Sequence, residues 1–167
     1  MDWFDAAEDR LTRWKAREKA TRDFRNRFSP LAQKALDAAF DEARKLNFGA
    51  IGAEHLLLGL LEMGEGPVLR QADRLGLSPE LVRSECGKMR APGAQNWMPE
   101  RLPFTPRMKR IVQTARREAQ RQHRKTIDSA HLLAALVAEK EGWPAQLLRK
   151  LGIDLEALRN GIFEESA

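Results

Sequence analysis

The sequence contains a single cysteine, Cys86, no tyrosine, and no apolar run long enough to cross a membrane. One cysteine excludes an intramolecular disulfide, which is typical of proteins in a reducing cytoplasm. The lack of a long apolar run excludes a membrane-spanning helix. Met1 is followed by charged residues where a signal peptide needs an apolar segment. We therefore expect a cytoplasmic protein that folds without a disulfide or a membrane.

The sequence also lacks the motifs that most often indicate an enzyme or a metal site. It has no G-x-x-x-x-G-K-[ST] loop for nucleotide phosphates, and neither His55 nor His131 belongs to an H-E-x-x-H zinc motif. A Cys–His nucleophile pair stays open, but Cys86 is expected as a small buried side chain of an amphipathic helix. Each histidine is expected to hydrogen-bond the backbone near the start of its helix. We expect no catalytic residue, no metal and no cofactor.

What the sequence does contain is an internal repeat whose two copies are related by one constant offset. Residues 51–66 read IGAEHLLLGLLEMGEG, and residues 127–142 read IDSAHLLAALVAEKEG. The two segments are 76 residues apart, a spacing here called the repeat offset. The same offset relates F-S-P at residues 28–30 to F-T-P at residues 104–106. An unbroken offset indicates two tandem copies, here called repeat one (28–90) and repeat two (104–165). Residues 91–103, which contain three prolines, are predicted to form a linker between them.

The helix signals recur in both copies and predict an all-α fold. Ser29 and Thr105 are suitable N-caps, each followed by proline at the first helical position. Gly76 and Gly152 are expected just after the third helix of each repeat. We predict two four-helix units related by a pseudo-two-fold axis. Residues 1–27 form an extension whose residues 2–24 suggest an amphipathic helix, expected to dock on the repeats rather than on a partner or a membrane surface.

These residues carry a family resemblance. The pattern F-S-P-x-A-Q-K-A-L…I-G-A-E-H-L-L-L-G-L-L…G-E-G, repeated in degraded form, resembles the N-terminal domain of Clp-type AAA+ unfoldases, especially the ClpC branch. The resemblance covers residues 28–165. It implies a mobile, non-catalytic receptor domain for substrate and adaptor proteins. It also implies Clp ATPase or protease components as partners, although no ATPase module follows in this sequence.

In ClpC-like domains each repeat can hold a phosphoarginine, and the resemblance implies which residues matter here. The family glutamate that grips the guanidinium corresponds to Glu54, and the nearby hydroxyl corresponds to Ser29. In repeat two the hydroxyl is retained as Thr105, but Ala130 replaces the glutamate. Ala53 also replaces the usual threonine in repeat one. The resemblance therefore implies one working pocket or none, with Glu54 also explained as a charge that complements a helix dipole.

A basic segment offers an alternative function. Between residues 101 and 125 there are nine basic residues and one acidic residue, Glu118. The first helix of repeat two is predicted to run to about Gln122. If it extends over residues 107–125, one face carries Arg107, Arg110, Arg117, Arg121, Arg124 and Lys125. Such a face suits nucleic-acid phosphates or an acidic partner protein, and it is also typical of a solvated surface helix. No aromatic residues are interleaved with it, so we expect protein binding rather than nucleic-acid binding.

Overall fold

The structure is a computed structural model that describes residues 19–89 and 102–166. Residues 19–25 are helical and form α1. The remainder of the helix predicted over residues 2–24, and most of the predicted linker, lie outside the described residues. The predicted boundaries of the extension and the two repeats therefore stay predictions.

Eight further helices follow α1 in the described chain. They are α2 (Pro30–Lys45), α3 (Ala53–Leu61), α4 (Pro67–Arg74), α5 (Pro79–Gly87), α6 (Pro106–Arg121), α7 (Ser129–Ala138), α8 (Trp143–Lys150) and α9 (Leu155–Ser166). These residues contain isolated β-bridges but no strand. The prediction of an all-α fold with four helices in each repeat is confirmed. No helix among the described residues is long and apolar enough to span a bilayer.

The N-caps and the turn glycine of repeat one lie where the sequence signals place them, as does the N-cap of repeat two. The Ser29 hydroxyl accepts a hydrogen bond from the Ala32 amide at 3.2 Å, and the Thr105 hydroxyl accepts one from the Met108 amide at 3.1 Å. These bonds satisfy amides that have no partner within the helix. Gly76 follows α4 with φ of 67°, a left-handed conformation that glycine adopts without strain.

The core is centred on α3 and α7, the second helices of the two repeats. Both are buried around almost their entire circumference, as their continuous apolar sequence predicts. The remaining helices cover them with one apolar side each. Small residues on α2 let it approach α3 closely, because Ala35 and Ala39 are fully buried against it.

The helix over residues 107–125 that the predicted basic face requires is too long. Helix α6 ends at Arg121, and Gln122 is its C-cap. His123 has φ of 54°, in the left-handed region, so the chain turns away from the helix axis at this point. Arg124 and Lys125 consequently lie in the α6–α7 loop and do not continue the basic helical face.

The two repeats are joined through short contacts between extended segments. Phe28 pairs with Ile127, and Ile51 pairs with Phe104, as isolated parallel bridges. Each bridge joins the residues that precede the first helix of one repeat to those that precede the second helix of the other. The start of α2 therefore lies next to the start of α7, and the start of α6 lies next to the start of α3.

Candidate functional site

The predicted site residues are distributed across the two repeats. The Ser29 amide donates to the Ile127 carbonyl at 2.9 Å, and its hydroxyl donates to Asp128 Oδ1 at 2.6 Å. The Thr105 amide donates to the Ile51 carbonyl at 3.0 Å. Our sequence-based grouping of Ser29 with Glu54 is therefore corrected. Because the repeats pair reciprocally, Thr105 lies at the α3 start that carries Glu54, and Ser29 lies at the α7 start.

Glu54 is a carboxylate at the first turn of α3 that burial leaves poorly solvated. Its side chain is 19% exposed and folds over Gly52, where a Cβ atom would meet Glu54 Oε1 at 2.3 Å. Burial raises the pKa of Glu54, and the hydrogen bond from its own amide and the charge of Arg107 offset this only in part. No lysine or arginine among the described residues forms an ion pair with it. Such a carboxylate gains much from a cationic ligand.

Arg107 on the first turn of α6 lies close enough to Glu54 for its charge to act on this carboxylate, and Arg107 and Arg110 both approach Glu139. Arg107 Nε is 3.7 Å from Glu139 Oε2, and Arg110 Nη2 is 3.8 Å from the same oxygen. Both distances exceed a hydrogen bond, and the buried Arg107 Nε has no hydrogen-bond partner among the described residues. The Thr105 hydroxyl donates no hydrogen bond to a described residue. We call Glu54, Thr105, Arg107, Arg110 and Glu139 the Glu54 site.

The equivalent place has lost three of these four charges and keeps one, because Arg110 corresponds to Lys34, which pairs with Glu65 at 2.6 Å. The repeat offset relates Glu54 to Ala130, Arg107 to Leu31, and Glu139 to Met63. Ala130 is 1% exposed and Met63 is 7% exposed, and both belong to the core. The hydroxyl of Ser29 is occupied by Asp128, which replaces Gly52. The side chains that would hold a charged ligand are therefore present on one side of the pseudo-two-fold axis.

The two histidines fulfil the predicted structural role. His55 Nδ1 accepts the Gly52 amide at 2.9 Å, and His131 Nδ1 accepts the Asp128 amide at 2.8 Å. Burial lowers the pKa of His55 to about 4 and also lowers the pKa of His131. Both rings are therefore neutral at pH 7. Cys86 is fully buried, and burial raises the pKa of its thiol to about 12, which disfavours the nucleophilic thiolate.

The predicted basic surface divides into separate groups. Arg107 and Arg110 face Glu139, while Arg121 Nη1 pairs with Glu118 Oε2 at 3.2 Å. Arg117 donates to the Thr114 hydroxyl at 3.0 Å. Arg124 and Lys125 line a cavity beyond the end of α6. The six residues do not form one continuous helical face, which weakens the nucleic-acid alternative.

With this geometry established, comparisons place the chain among known proteins. A model of the Clp repeat N-terminal domain matches residues 27–142 and, in a second match, residues 103–167. The chain belongs to the Clp N-terminal domain family. It is 33% identical over 138 residues to the negative regulator of genetic competence ClpC/MecB from Bacillus subtilis. That match covers 83% of this chain but 17% of the relative, so the chain spans a small part of the relative's length.

Solved Clp N-domains show the same fold. The N-terminal domain of the chaperone ClpD from Arabidopsis thaliana superimposes with a TM-score of 0.69 at 21% identity, covering 83% of this chain and 94% of that one. The ClpV N-domain in complex with a VipB peptide superimposes with a TM-score of 0.61 at 16% identity, covering 81% and 84%. This likeness establishes the architecture on which the Glu54 site is built.

The sequence pattern names Glu54 and Thr105 but does not group Arg107, Arg110 or Glu139 with them. Glu139 lies in the other repeat from Glu54, and no local pattern connects them. The sequence pattern assigns Arg107 to a basic face, whereas its contacts place it in the site. A signal is present, because the charged residues at 54, 107 and 139 all correspond to apolar residues in the other repeat.

Proposed function

We propose that this chain is a non-catalytic protein-binding module of the Clp chaperone and protease system. It acts in the cytoplasm and captures substrate or adaptor proteins, as an accessory subunit, an adaptor or a decoy for the unfoldase's own N-domain. Its ligands include arginine-phosphorylated proteins, which bind at the Glu54 site. The observation that carries this proposal is a partly exposed carboxylate that no lysine or arginine of the described residues pairs with, in a domain whose family binds proteins.

The charges at the Glu54 site match both ends of a phosphoarginine side chain. The Glu54 carboxylate suits the planar guanidinium, which offers two parallel N–H donors. The phosphate suits Arg107 and Arg110, whose contacts with Glu139 are long. The amino-terminal end of α6 adds favourable partial charge, and the Thr105 hydroxyl is available to donate to a phosphate oxygen. An unmodified arginine would satisfy the carboxylate alone.

The same reasoning assigns one ligand to each chain. At the corresponding place, Leu31, Met63 and Ala130 offer no charge to either end of a phosphoarginine, and Lys34, the counterpart of Arg110, already pairs with Glu65 at 2.6 Å. Asp128 is the nearby carboxylate, and it already accepts hydrogen bonds from the Ser29 hydroxyl and the Ser129 amide. A stoichiometry of one is therefore expected.

Calorimetric titration with a phosphoarginine peptide tests the proposal. Wild type is expected to bind one peptide, and Glu54→Gln is expected to weaken binding at least about tenfold, because it removes a charge-assisted hydrogen bond. Glu156→Gln is the matched control, since Glu156 is exposed in the first turn of α9. The same peptide with unmodified arginine should bind more weakly than the phosphorylated peptide.

The result that contradicts this function is equally specific. Absence of saturable binding by wild type would remove phosphoarginine as the ligand of the site. Binding that is equally strong in Glu54→Gln and that disappears at high salt would indicate nonspecific attraction to the basic residues instead.

A further inference from the structure

A cationic groove lies beyond the carboxyl end of α6, away from the Glu54 site. One cavity of about 330 Å³ is lined by the side chains of Arg27, Arg116, Gln120, Arg124, Lys125 and Thr126. A second cavity of about 290 Å³ shares Arg27, Arg116 and Ile127 with the first, and Phe24 and Phe104 form its wall. The shared residues make the two cavities one continuous depression. We call its first part the cationic half and its second part the aromatic half.

The charge in this groove is of one sign. Arg27, Arg116, Arg124 and Lys125 are exposed, and Lys109 adds a further cation to the aromatic half. No carboxylate lines either cavity, and among residues 19–89 and 102–166 none of these five cations forms an ion pair. Elsewhere in the described chain, exposed bases such as Arg25 and Lys34 do pair with neighbouring acids. Within the part of the chain that the structure describes, the groove therefore presents a positive potential that no carboxylate compensates.

The other repeat shows that the fold does not require this groove. The repeat offset relates Arg116 to Phe40 and Arg124 to Phe48. Both phenylalanines are half-buried and pack against a cluster of Ala39, Ala43, Ile51 and Leu102. Repeat one thus fills with two aromatic rings the place where repeat two has two arginines and an open cavity. Packing alone explains the phenylalanines, but it does not explain the exposed arginines.

We propose that the cationic groove binds an acidic segment of a partner protein. Carboxylates of that segment contact Arg27, Arg116 and Arg124 in the cationic half, and an apolar side chain next to them enters the aromatic half. Cations that line a concave surface add their fields at one place, so they attract a carboxylate more strongly than the same cations spread over a flat surface. The groove lies on different residues from the Glu54 site, so this inference does not depend on phosphoarginine binding.

A peptide suits the groove better than a nucleic acid. Binding of single strands needs aromatic faces on which bases stack. Here Phe24 lies 4.9 Å from Phe28 and 6.1 Å from Phe104 between ring centroids, so the rings pack on one another. No aromatic side chain among the described residues lines the cationic half. Its volume of about 330 Å³ matches a few side chains of a peptide.

The test uses the full chain and a short fluorescein-labelled peptide in which glutamates flank one leucine, followed by fluorescence anisotropy. Wild type is expected to bind saturably, and added salt should weaken the binding. Arg116→Glu with Arg124→Glu should reduce affinity at least about tenfold. The matched control, Lys140→Glu with Arg149→Glu, changes net charge equally at exposed sites outside the groove and should bind as wild type does.

A second variant separates binding from folding. Arg116→Phe with Arg124→Phe copies the residues of repeat one and fills the groove with rings that this architecture already accommodates. It should also lose the peptide while keeping the helical circular dichroism of wild type. Glu54→Gln should bind the peptide normally, which distinguishes failure at the groove from failure at the Glu54 site.

Three results would overturn the proposal. A peptide with glutamines in place of glutamates could bind equally well. The two charge-reversed variants could lose equal affinity, which would indicate net charge rather than the groove. A single-stranded oligonucleotide could bind more tightly than the acidic peptide and displace it, which would assign the groove to nucleic acid.

Discussion

Repeats one and two share an ion-pair arrangement but bury it to different depths. In repeat one, Arg83 on α5 donates to both carboxylate oxygens of Glu42, at 2.9 and 3.2 Å. The repeat offset relates this pair to Glu118 and Arg159, which approach to 3.5 Å through a single contact. The Glu42 side chain is 1% exposed, whereas that of Glu118 is 15% exposed. The same connection between helices is thus a buried anchor in one repeat and a surface contact in the other.

The difference shows which features each repeat retains and which it has changed. Caps, left-handed turn positions, buried histidines and the acid–base pair recur because the four-helix unit uses all of them. Charges have diverged at two places where the unit does not need them. In each case the counterpart in the other repeat is apolar: this holds for Glu54 and Arg107 at one place, and for Arg116 and Arg124 at the other. Both repeats therefore contribute equivalent helices to the fold, whereas the Glu54 site and the cationic groove each occur once.

The largest effect expected from this comparison concerns Arg83. Burial alone raises the pKa of Glu42, but hydrogen bonds from Arg83 and Lys45 outweigh it and hold the pKa below its usual value. Arg83→Met leaves a buried carboxylate with Lys45 as its remaining described partner, at an expected cost of roughly 3–5 kcal/mol in the free energy of unfolding. Urea unfolding followed by circular dichroism measures this loss.

Arg159→Met is the matched change in repeat two. Because Glu118 keeps contact with solvent and with Arg121, the expected cost is about 1 kcal/mol or less. Equal losses in the two variants would show that the difference in burial has no energetic consequence, and the contrast between the repeats would then be wrong.

Much of the fold is predictable from local signals, because caps and turns depend on neighbouring residues. Ser29, Thr105, Gly76 and Gly152 each mark a helix boundary through their own chemistry. The apolar periodicity of repeat two predicts the end of α6 at about Gln122, where it is observed. A basic face that continues to Lys125 ignores the turn at His123, which is a weaker signal for a left-handed conformation than glycine or asparagine. Its counterpart Asn47 has φ of 57°, and asparagine is a common residue in this conformation. Because the two positions are equivalent in the repeats, Asn47 predicts a left-handed turn at His123 as well.

The composition of the Glu54 site cannot be derived in the same way. The crossing of Ser29 to Asp128 and of Thr105 to Ile51 depends on how two whole repeats pack, which no local pattern encodes. Periodicity identifies the buried face of α6 but does not say which loop of the other repeat meets its first turn. The family resemblance implies Glu54, and three-dimensional contacts are needed to add Arg107, Arg110 and Glu139.

The second prediction concerns how closely the first two helices of each repeat approach. A Cβ atom on Gly59 would lie 2.1 Å from the Ala35 carbonyl oxygen and 2.7 Å from the Ala39 amide nitrogen. Repeat two has Ala135 at the equivalent position, so its helices already accommodate the methyl group. Gly59→Ala is expected to destabilise the protein by roughly 2–3 kcal/mol, because backbone atoms of α2 must move. Thermal and urea unfolding measure the change.

Ala135→Gly is the reciprocal substitution and should cost about 1 kcal/mol, through helix propensity and a lost buried methyl group. If Gly59→Ala proves neutral or stabilising, the closer approach of α2 to α3 is not a constraint on repeat one.

The smallest predicted effect is a pH dependence that distinguishes the two buried histidines. Protonating His55 would place a charge in a fully buried ring and break the bond in which Nδ1 accepts the Gly52 amide. Burial therefore lowers its pKa from 6.5 to about 4, although the charge of Glu42 opposes this in part. Between these two values the unfolded chain binds the proton and the folded chain does not, so stability falls as pH falls from 6.5 towards 4.

This linkage corresponds to a loss of roughly 1–2 kcal/mol between pH 6.5 and pH 5. His55→Gln keeps an acceptor for the Gly52 amide but cannot titrate, so urea midpoints at the two pH values should converge in this variant. His131 has Gln122 Oε1 at 3.1 Å from Nε2, an acceptor that would bind a protonated ring. Since the His55 Nε2 atom has no such described partner, His131→Gln should remove less of the pH dependence. An identical pH profile in wild type and His55→Gln would mean that the buried ring of repeat one is not the group that titrates.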